Sequence, residues 1–563
     1  MGHNTALSPP LKEGPGVDDG MSPNSWCGAD TPIWNGSISG SPLLLSALVA
    51  LLLAGCGHPA SSKSARNVFR VPVNVTFSSI DPALASETYS IDTMQNSFEG
   101  LVMMGEDNQI HPCLAESWDV SKDGKTYTFH LRHNVKFHDG KVLEAADVKK
   151  SIERSCGKGL SAAMALNYLN DIIGMNPFYS GKRAELPGVR LIDPNTISIT
   201  LDAPRPYFLA KLTCPVASIV DCNAIKDGVH VTSVREMVGT GPFKFERYDE
   251  GQMIVQRAFD DYWGGRPKID AIERPVMTDA YERLSAYKRG EIDMIPQLAR
   301  SDYRAFLVDP GTKDEVQLID RATLVYLALN AKEWPDRRVR SAIALAIDRG
   351  RIATDTMMGT VIPAKGILPP SIPGYRPNPA WPAPNPDEAK KVLSEAGHPA
   401  GKGLPELKIA FAIENPDIGR IADRIGAQIH DTLGIAVRLE GMDTGTLIAR
   451  QNRKELQCVV TGWFADYIDP QDFLSMLLTT GAQENHWNYS NPLYDRFCAE
   501  ADTCVDPARR LALYGQAEDV AHQDAVLIPV CYWKTPTVIN RRMHGIRSYA
   551  GQYLPYNSVW VGE

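Results

Sequence analysis

The residue with the most specific chemistry in this 563-residue chain is Cys56. It closes the run Pro42-Leu-Leu-Leu-Ser-Ala-Leu-Val-Ala-Leu-Leu-Leu-Ala-Gly-Cys56, and Leu53-Ala54-Gly55-Cys56 has the form of a bacterial lipobox. Small residues before the cysteine let a signal peptidase approach the backbone. The thiol can then carry a diacylglycerol and become the new N-terminus. The apolar run from Leu43 to Gly55 is 13 residues, short of the about 20 that a membrane span needs. Residues 1–56 therefore read as a signal peptide ending in a lipidated cysteine. Residues 57–67, small and polar, read as a flexible tether. One feature departs from this pattern: Lys12 is the only Lys or Arg in the first 41 positions, where a basic region is expected.

Other reactive residue types point to less. Without Cys27 and Cys56, eight of the ten cysteines remain, an even number that permits disulfides in an exported protein. The short separations make Cys498–Cys504 and Cys214–Cys222 the expected pairs. No CxxC is present, which argues against a zinc or thioredoxin-like site. His130, His133 and His138 suggest a metal cluster, but on an alternating strand His130 and His133 face opposite ways. Gly397-His-Pro-Ala-Gly-Lys-Gly403 approaches a phosphate loop, one residue short and with Gly403 in place of Ser or Thr. GxSxG, HExxH and dinucleotide fingerprints are missing. The expectation is a protein that is not an enzyme and uses no cofactor or metal.

The elements that must carry any site follow from composition and periodicity. The chain is 44% hydrophobic and 22% charged, with formal net charge −9, which leaves no electrostatic footprint for nucleic acid. Its length suggests two or three lobes. Phe69-Arg-Val-Pro-Val, Thr126-Tyr-Thr-Phe-His-Leu and Thr196-Ile-Ser-Ile-Thr-Leu read as strands. Helices are expected over Ile91–Val102, Ala145–Ser155 and Arg337–Asp348, and from the Asn385 cap to a stop at Gly397. The Pro-rich stretch from Pro369 to Pro386 reads as a surface loop. Strands and helices mix through both halves, so the fold class is α/β.

A series of motifs, taken in order, resembles family 5 extracellular solute-binding proteins. They are Asp81-Pro82, Phe98-Glu-Gly-Leu101, Leu114-Ala-Glu-Ser-Trp118, Asp123-Gly-Lys-Thr-Tyr-Thr-Phe-His-Leu-Arg132 and Val135-Lys-Phe-His-Asp-Gly140. Gly239-Thr-Gly-Pro-Phe-Lys244, Asp261-Tyr-Trp-Gly-Gly265, Gly290-Glu-Ile-Asp293, Asp336-Arg-Arg-Val-Arg340 and Ile528-Pro-Val530 continue the series. The resemblance implies a bilobal periplasmic-binding-protein type II-like fold with an extra subdomain in the first lobe. Lobe I would take 68–102, 235–320 and 537–563, the extra subdomain 103–234, and lobe II 321–536. It also implies a monomeric ABC-importer lipoprotein of the periplasm or cell surface. Such a receptor captures a peptide between its lobes and delivers it to permease subunits. A receptor for a metal chelate, haem, opine or sugar, or a sensory lipoprotein, stays open.

Within the resemblance, Gly462-Trp-Phe-Ala-Asp-Tyr-Ile-Asp-Pro-Gln-Asp-Phe-Leu474 is most similar to the oligopeptide-binding branch. There an aspartate four residues after the glycine receives the peptide ammonium, which maps onto Asp466. In a closed cleft a fixed carboxylate is a strong partner for a primary ammonium, and Trp463 would add a flat apolar wall. Thr88 and Tyr89 match a strand that pairs with the peptide backbone. Trp533 matches an aromatic at the cleft or hinge. The pattern's arginine three residues before Trp463 is Val460 here, and its upstream acid-plus-Trp pair is Asp443-Thr444.

Overall fold

Alternating residues of Thr126–Leu131 turn Tyr127, Phe129 and Leu131 inward, as a half-buried strand requires. This strand is the second in an antiparallel four-stranded sheet ordered Ala115–Val120, Thr126–Leu131, Thr196–Thr200, Val189–Asp193. The helix Ala145–Cys156 starts with a capping box between Glu144 and Asp147. It buries Val148 and Ile152 in the same core as Phe129 and Ile197. Arg154 from this helix meets the buried carboxylate of Asp81, which also accepts from the Ala83 N–H at 3.0 Å. The Asp81-Pro82 motif is therefore structural, tying the segment before the helix Thr88–Met94 to this subdomain.

The computed structural model describes residues 67–562 except 78, 86, 161, 378–380 and 382. The leader, Cys56 and residues 57–66 lie outside the described residues. A second four-stranded sheet is ordered Val68–Arg70, Ala271–Pro275, Met253–Ala258, Phe243–Asp249, with its first two strands parallel. Fully buried Asp293 accepts from the Arg70 N–H at 2.8 Å and pairs with Arg542, joining the two ends of the described chain.

The largest sheet runs Met294–Ile295, Leu527–Ile539, Val316–Leu329, Cys458–Phe464, Leu407–Ala412, Val437–Met442, with Val361–Pro363 added on Leu527–Ile539. Its two longest strands are antiparallel, and their register breaks between Asp320 and Leu324. Before the break Val316 and Val538 belong to a core with Ile295 and Phe306. Beyond it Leu324, Tyr326, Ala328 and Leu527 are buried in one further core, and Val325, Leu327, Leu329, Ile528 and Val530 in another on the opposite face of the sheet. The pair thus spans two lobes of one bilobal α/β fold. Against this sheet packs the helix Pro416–Leu433, whose Ile418, Ile421, Ile425, Ile429 and Leu433 form one buried face.

Three expectations about local structure change. The helix expected over Ile91–Val102 is Thr88–Met94. The carbonyls of Asn96 and Ser97 accept instead from the N–H groups of Phe243 at 2.9 Å and Gly241 at 3.0 Å. That approach explains the glycines of Gly239-Thr-Gly-Pro. A Cβ on Gly241 would stand 2.7 Å from the Ser97 carbonyl carbon, and one on Gly239 would overlap the Ser97 oxygen. The Pro369–Pro386 stretch is not wholly a surface loop, because Ile372 and Trp381 are buried. The disulfides do not form either, and all eight described cysteines are free thiols. Cys498 points into the core from the helix Pro492–Thr503. Cys504 lies six residues on, about 240° around the helix axis, and donates to the Asp506 carbonyl. Cys214 and Cys222 likewise face different surroundings, the first donating to the Asp466 carbonyl at 3.4 Å and the second packing in the core of Val220 and Met237.

Candidate functional site

The strand Cys458–Phe464 ends where the lobes approach, and the chain then turns through Ala465 and Asp466. Here a cavity of about 480 Å³ is lined from both lobes and from the subdomain. This segment contributes Phe464, Ala465 and Asp466 to its lining. The strand alternation decides which aromatic does so. Trp463 packs toward the second-lobe core and its indole N–H donates to Asp472 Oδ2 at 3.2 Å. Phe464, on the opposite face, is 59% exposed and forms the flat apolar wall expected of Trp463. Gly462 lies in the ladder opposite Val325, where a Cβ would make only ordinary contacts at 3.7 and 3.9 Å.

Asp466 keeps accessible surface in the cleft, while the protein around it displaces enough water to push its carboxyl up to about 6. Tyr168, the last residue of the helix Ala163–Tyr168, stands beside the carboxylate and opposes that shift; the charge of Glu484 adds to it. Behind it, Asp472 is fully buried and accepts the Asp466 N–H at 3.0 Å through Oδ2. Burial and the charge of Asp466 both push Asp472 well above the usual carboxylate range. Asp466, the more accessible of the two, is the carboxyl that faces the cleft.

Other expected residues separate. Thr88 reaches the cavity, but as the first residue of a helix, so it offers a side chain and not a strand edge to a ligand backbone. Tyr89 packs beside the core of Met94 and Phe98, and burial pushes its phenol up. Trp533 lines a second cavity of about 380 Å³, its ring covered by the Arg300 guanidinium at 4.5 Å. Val460 is fully buried in the second-lobe core. Asp443 caps the helix Thr444–Asn452 through the Thr446 N–H at 2.8 Å.

Sequence reasoning missed Phe464, Tyr168, Glu99 and Arg321, all of which line the cavity. The strand period could have found Phe464. Glu99 lay inside the quoted Phe98-Glu-Gly-Leu101 motif, where it accepts from Tyr262 at 2.8 Å, Trp263 at 3.0 Å and Thr240 at 2.8 Å.

Residues 109–485 match the model for bacterial extracellular solute-binding proteins, family 5 Middle. The chain belongs to this family. Its members are solute-binding proteins and not enzymes. The dipeptide-binding protein of Escherichia coli is 30% identical over 451 residues, covering 75% of this chain and 81% of the relative. Heme-binding protein A of Haemophilus influenzae is 30% identical over 520 residues, covering 87% and 93%. Among solved structures, the ABC transporter-associated periplasmic binding protein DppA of Helicobacter pylori in complex with the peptide STSA superposes with a TM-score of 0.72. It is 26% identical, covering 88% of this chain and 99% of that one. No helix among the described residues is long and apolar enough to cross a membrane.

Proposed function

We propose that this family 5 protein is the exported, lipid-anchored receptor of an ABC importer, and that its ligand is a peptide with a free amino terminus. The observation that carries the reading is Asp466, a carboxylate beside Tyr168 at a cavity lined from both lobes, next to the exposed ring of Phe464. A primary ammonium matches that carboxylate. The Phe464 ring and the partly apolar lining accept varied side chains. The dipeptide-binding relative and the peptide-bound Helicobacter pylori structure support the choice of ligand. The paired strands Val316–Leu329 and Leu527–Ile539, with their register break at Asp320, are the hinge about which lobe I (68–102, 235–320, 537–563) and lobe II (321–536) close. The closed form is what permease subunits recognise. The lipobox at Cys56 supplies the anchor.

A thermal-shift screen with pools of di- to pentapeptides tests the ligand class. A stabilising response to at least one pool is expected. A response to haem with none to any peptide would replace the peptide by the solute for which the Haemophilus influenzae relative is named.

The carboxyl of Asp466 gives the binding a pH dependence. Its folded, ligand-free value of about 6 stands above the ordinary 3.8, so the ligand-free protein is favoured by protonation. That contribution is fully present below 3.8 and is lost as pH rises through about 6. An ammonium ligand requires the ionised form. Affinity for a free-amino peptide, followed by calorimetry, should be greatest near about pH 7, fall up to about tenfold per unit below about pH 6, and fall again above about pH 8 as the ligand's own α-ammonium loses its proton. A flat profile down to about pH 5 would take Asp466 out of the ammonium contact.

A further inference from the structure

We propose that Arg321 receives the ligand's carboxylate, so that Arg321 and Asp466 together select a short zwitterionic peptide with both termini free. This rests on the peptide reading above and adds a second charge to it. Four charged side chains line the cavity: Glu99, Arg321, Asp466 and Arg547. Glu99 is committed to Tyr262, Trp263 and Thr240, and Arg547 to Glu106 at 3.3 Å and Ser558 at 2.9 Å.

Arg321 differs from both. Its Nε donates to the Thr535 hydroxyl at 3.3 Å, and its guanidinium stands over the Tyr553 ring, 5.1 Å from the centroid. These neutral partners fix its position without neutralising it. Among the described residues no carboxylate pairs with it within 4.0 Å, and the adjacent Asp320 is taken by Lys534 at 3.0 Å. A partly buried guanidinium without an acid is unfavourable unless an anion arrives with the ligand, and its planar fork fits a carboxylate with two parallel hydrogen bonds.

Position sets the two charges at one ligand. The ladder between Val316–Leu329 and Cys458–Phe464 ends with Thr323 opposite Phe464, followed by the Ala465 N–H on the Ala322 carbonyl at 2.8 Å. Arg321 and Asp466 follow where the chain leaves this ladder, and both line the cavity. No ion pair within 4.0 Å joins them, so each can meet an opposite charge carried by the ligand. The cavity volume lies within the about 300–1,000 Å³ usual for small ligands.

The test uses a mixed library of di- and tripeptides prepared with free carboxylates and, separately, as C-terminal amides. Each is incubated with the protein, with Arg321→Ala and with Arg321→Lys. Retained peptides are identified by mass spectrometry, and the strongest is measured by calorimetry. Wild type should prefer the free acid about 10- to 100-fold over its amide, the worth of a hydrogen-bonded charge. Arg321→Ala should abolish that preference and Arg321→Lys restore part of it. Equal binding of acid and amide by wild type, or an undiminished preference in Arg321→Ala, overturns the role of Arg321 and leaves the ammonium site standing. Retention of no member in either form overturns the peptide reading and this proposal with it. The wild-type comparison of acid with amide decides by itself if the variants do not fold.

Discussion

Replacing Asp466 by Asn is expected to weaken binding of a free-amino peptide by about 3–5 kcal/mol, roughly 150-fold or more, the usual cost of stranding one member of a buried charge pair. The amide keeps the size of the side chain. Asp472 cannot substitute, because it is fully buried and its Oδ2 already accepts from Trp463 and the Asp466 N–H. The N-acetylated form of the same peptide carries no ammonium, so its affinity for wild type and variant should agree within about threefold, less than one neutral hydrogen bond is worth. Calorimetry on the four combinations measures the difference. An equal loss for both peptides would mean that Asp466 only shapes the loop.

The largest effect on stability is expected at Arg510. Its guanidinium makes two hydrogen bonds to Asp469, Nη2 to Oδ1 at 2.6 Å and Nη1 to Oδ2 at 2.9 Å, with both side chains 9% exposed. Asp469 also accepts from the Gln471 N–H at 2.9 Å and so caps the turn Pro470–Asp472 that carries Asp472. Arg510→Met leaves a buried carboxylate without its cation, at about 3–5 kcal/mol. Adding Asp469→Leu removes the stranded charge and should recover part of that loss, though not the cap on Gln471. Thermal unfolding of the single and double variants measures both. A single variant as stable as wild type would show that the pair contributes nothing beyond packing. Because the pair anchors the loop after Asp466, Arg510→Met should also weaken peptide binding.

The particular elements explain how much could be read in advance. Thr126–Leu131 and Ala145–Cys156 were legible because each buries one face of a regular period. The family motifs, spread over the chain, carried the bilobal architecture. Where the helix near Ile91 stops was not legible. That boundary is set by carbonyls of Asn96 and Ser97 turning to Gly241 and Phe243, about 145 positions away in sequence and invisible to any local pattern.

The site shows the same division. Asp466 could be located from its spacing after Gly462. The exchange of Trp463 for Phe464 at the cavity depends on which face of a seven-residue strand meets the core. Arg321 carries no motif. It becomes visible only once the fold sets it at one cavity with Asp466 and the structure shows which charged neighbours already have partners. The cysteines mislead for a related reason, since short separation says nothing of direction. Cys498 and Cys504 stay free although both meet the same core, the first from within the helix Pro492–Thr503 and the second just beyond its end.

The central claim is that the cleft beside Asp466 holds a peptide by its charged amino terminus. Native mass spectrometry of the protein purified without unfolding, followed by acid release and sequencing of whatever it retained, tests this most directly. The account predicts short peptides with unmodified amino termini, retained by wild type and lost from Asp466→Asn. Haem, a sugar or a metal chelate released in their place, or peptides retained equally by Asp466→Asn, would contradict it.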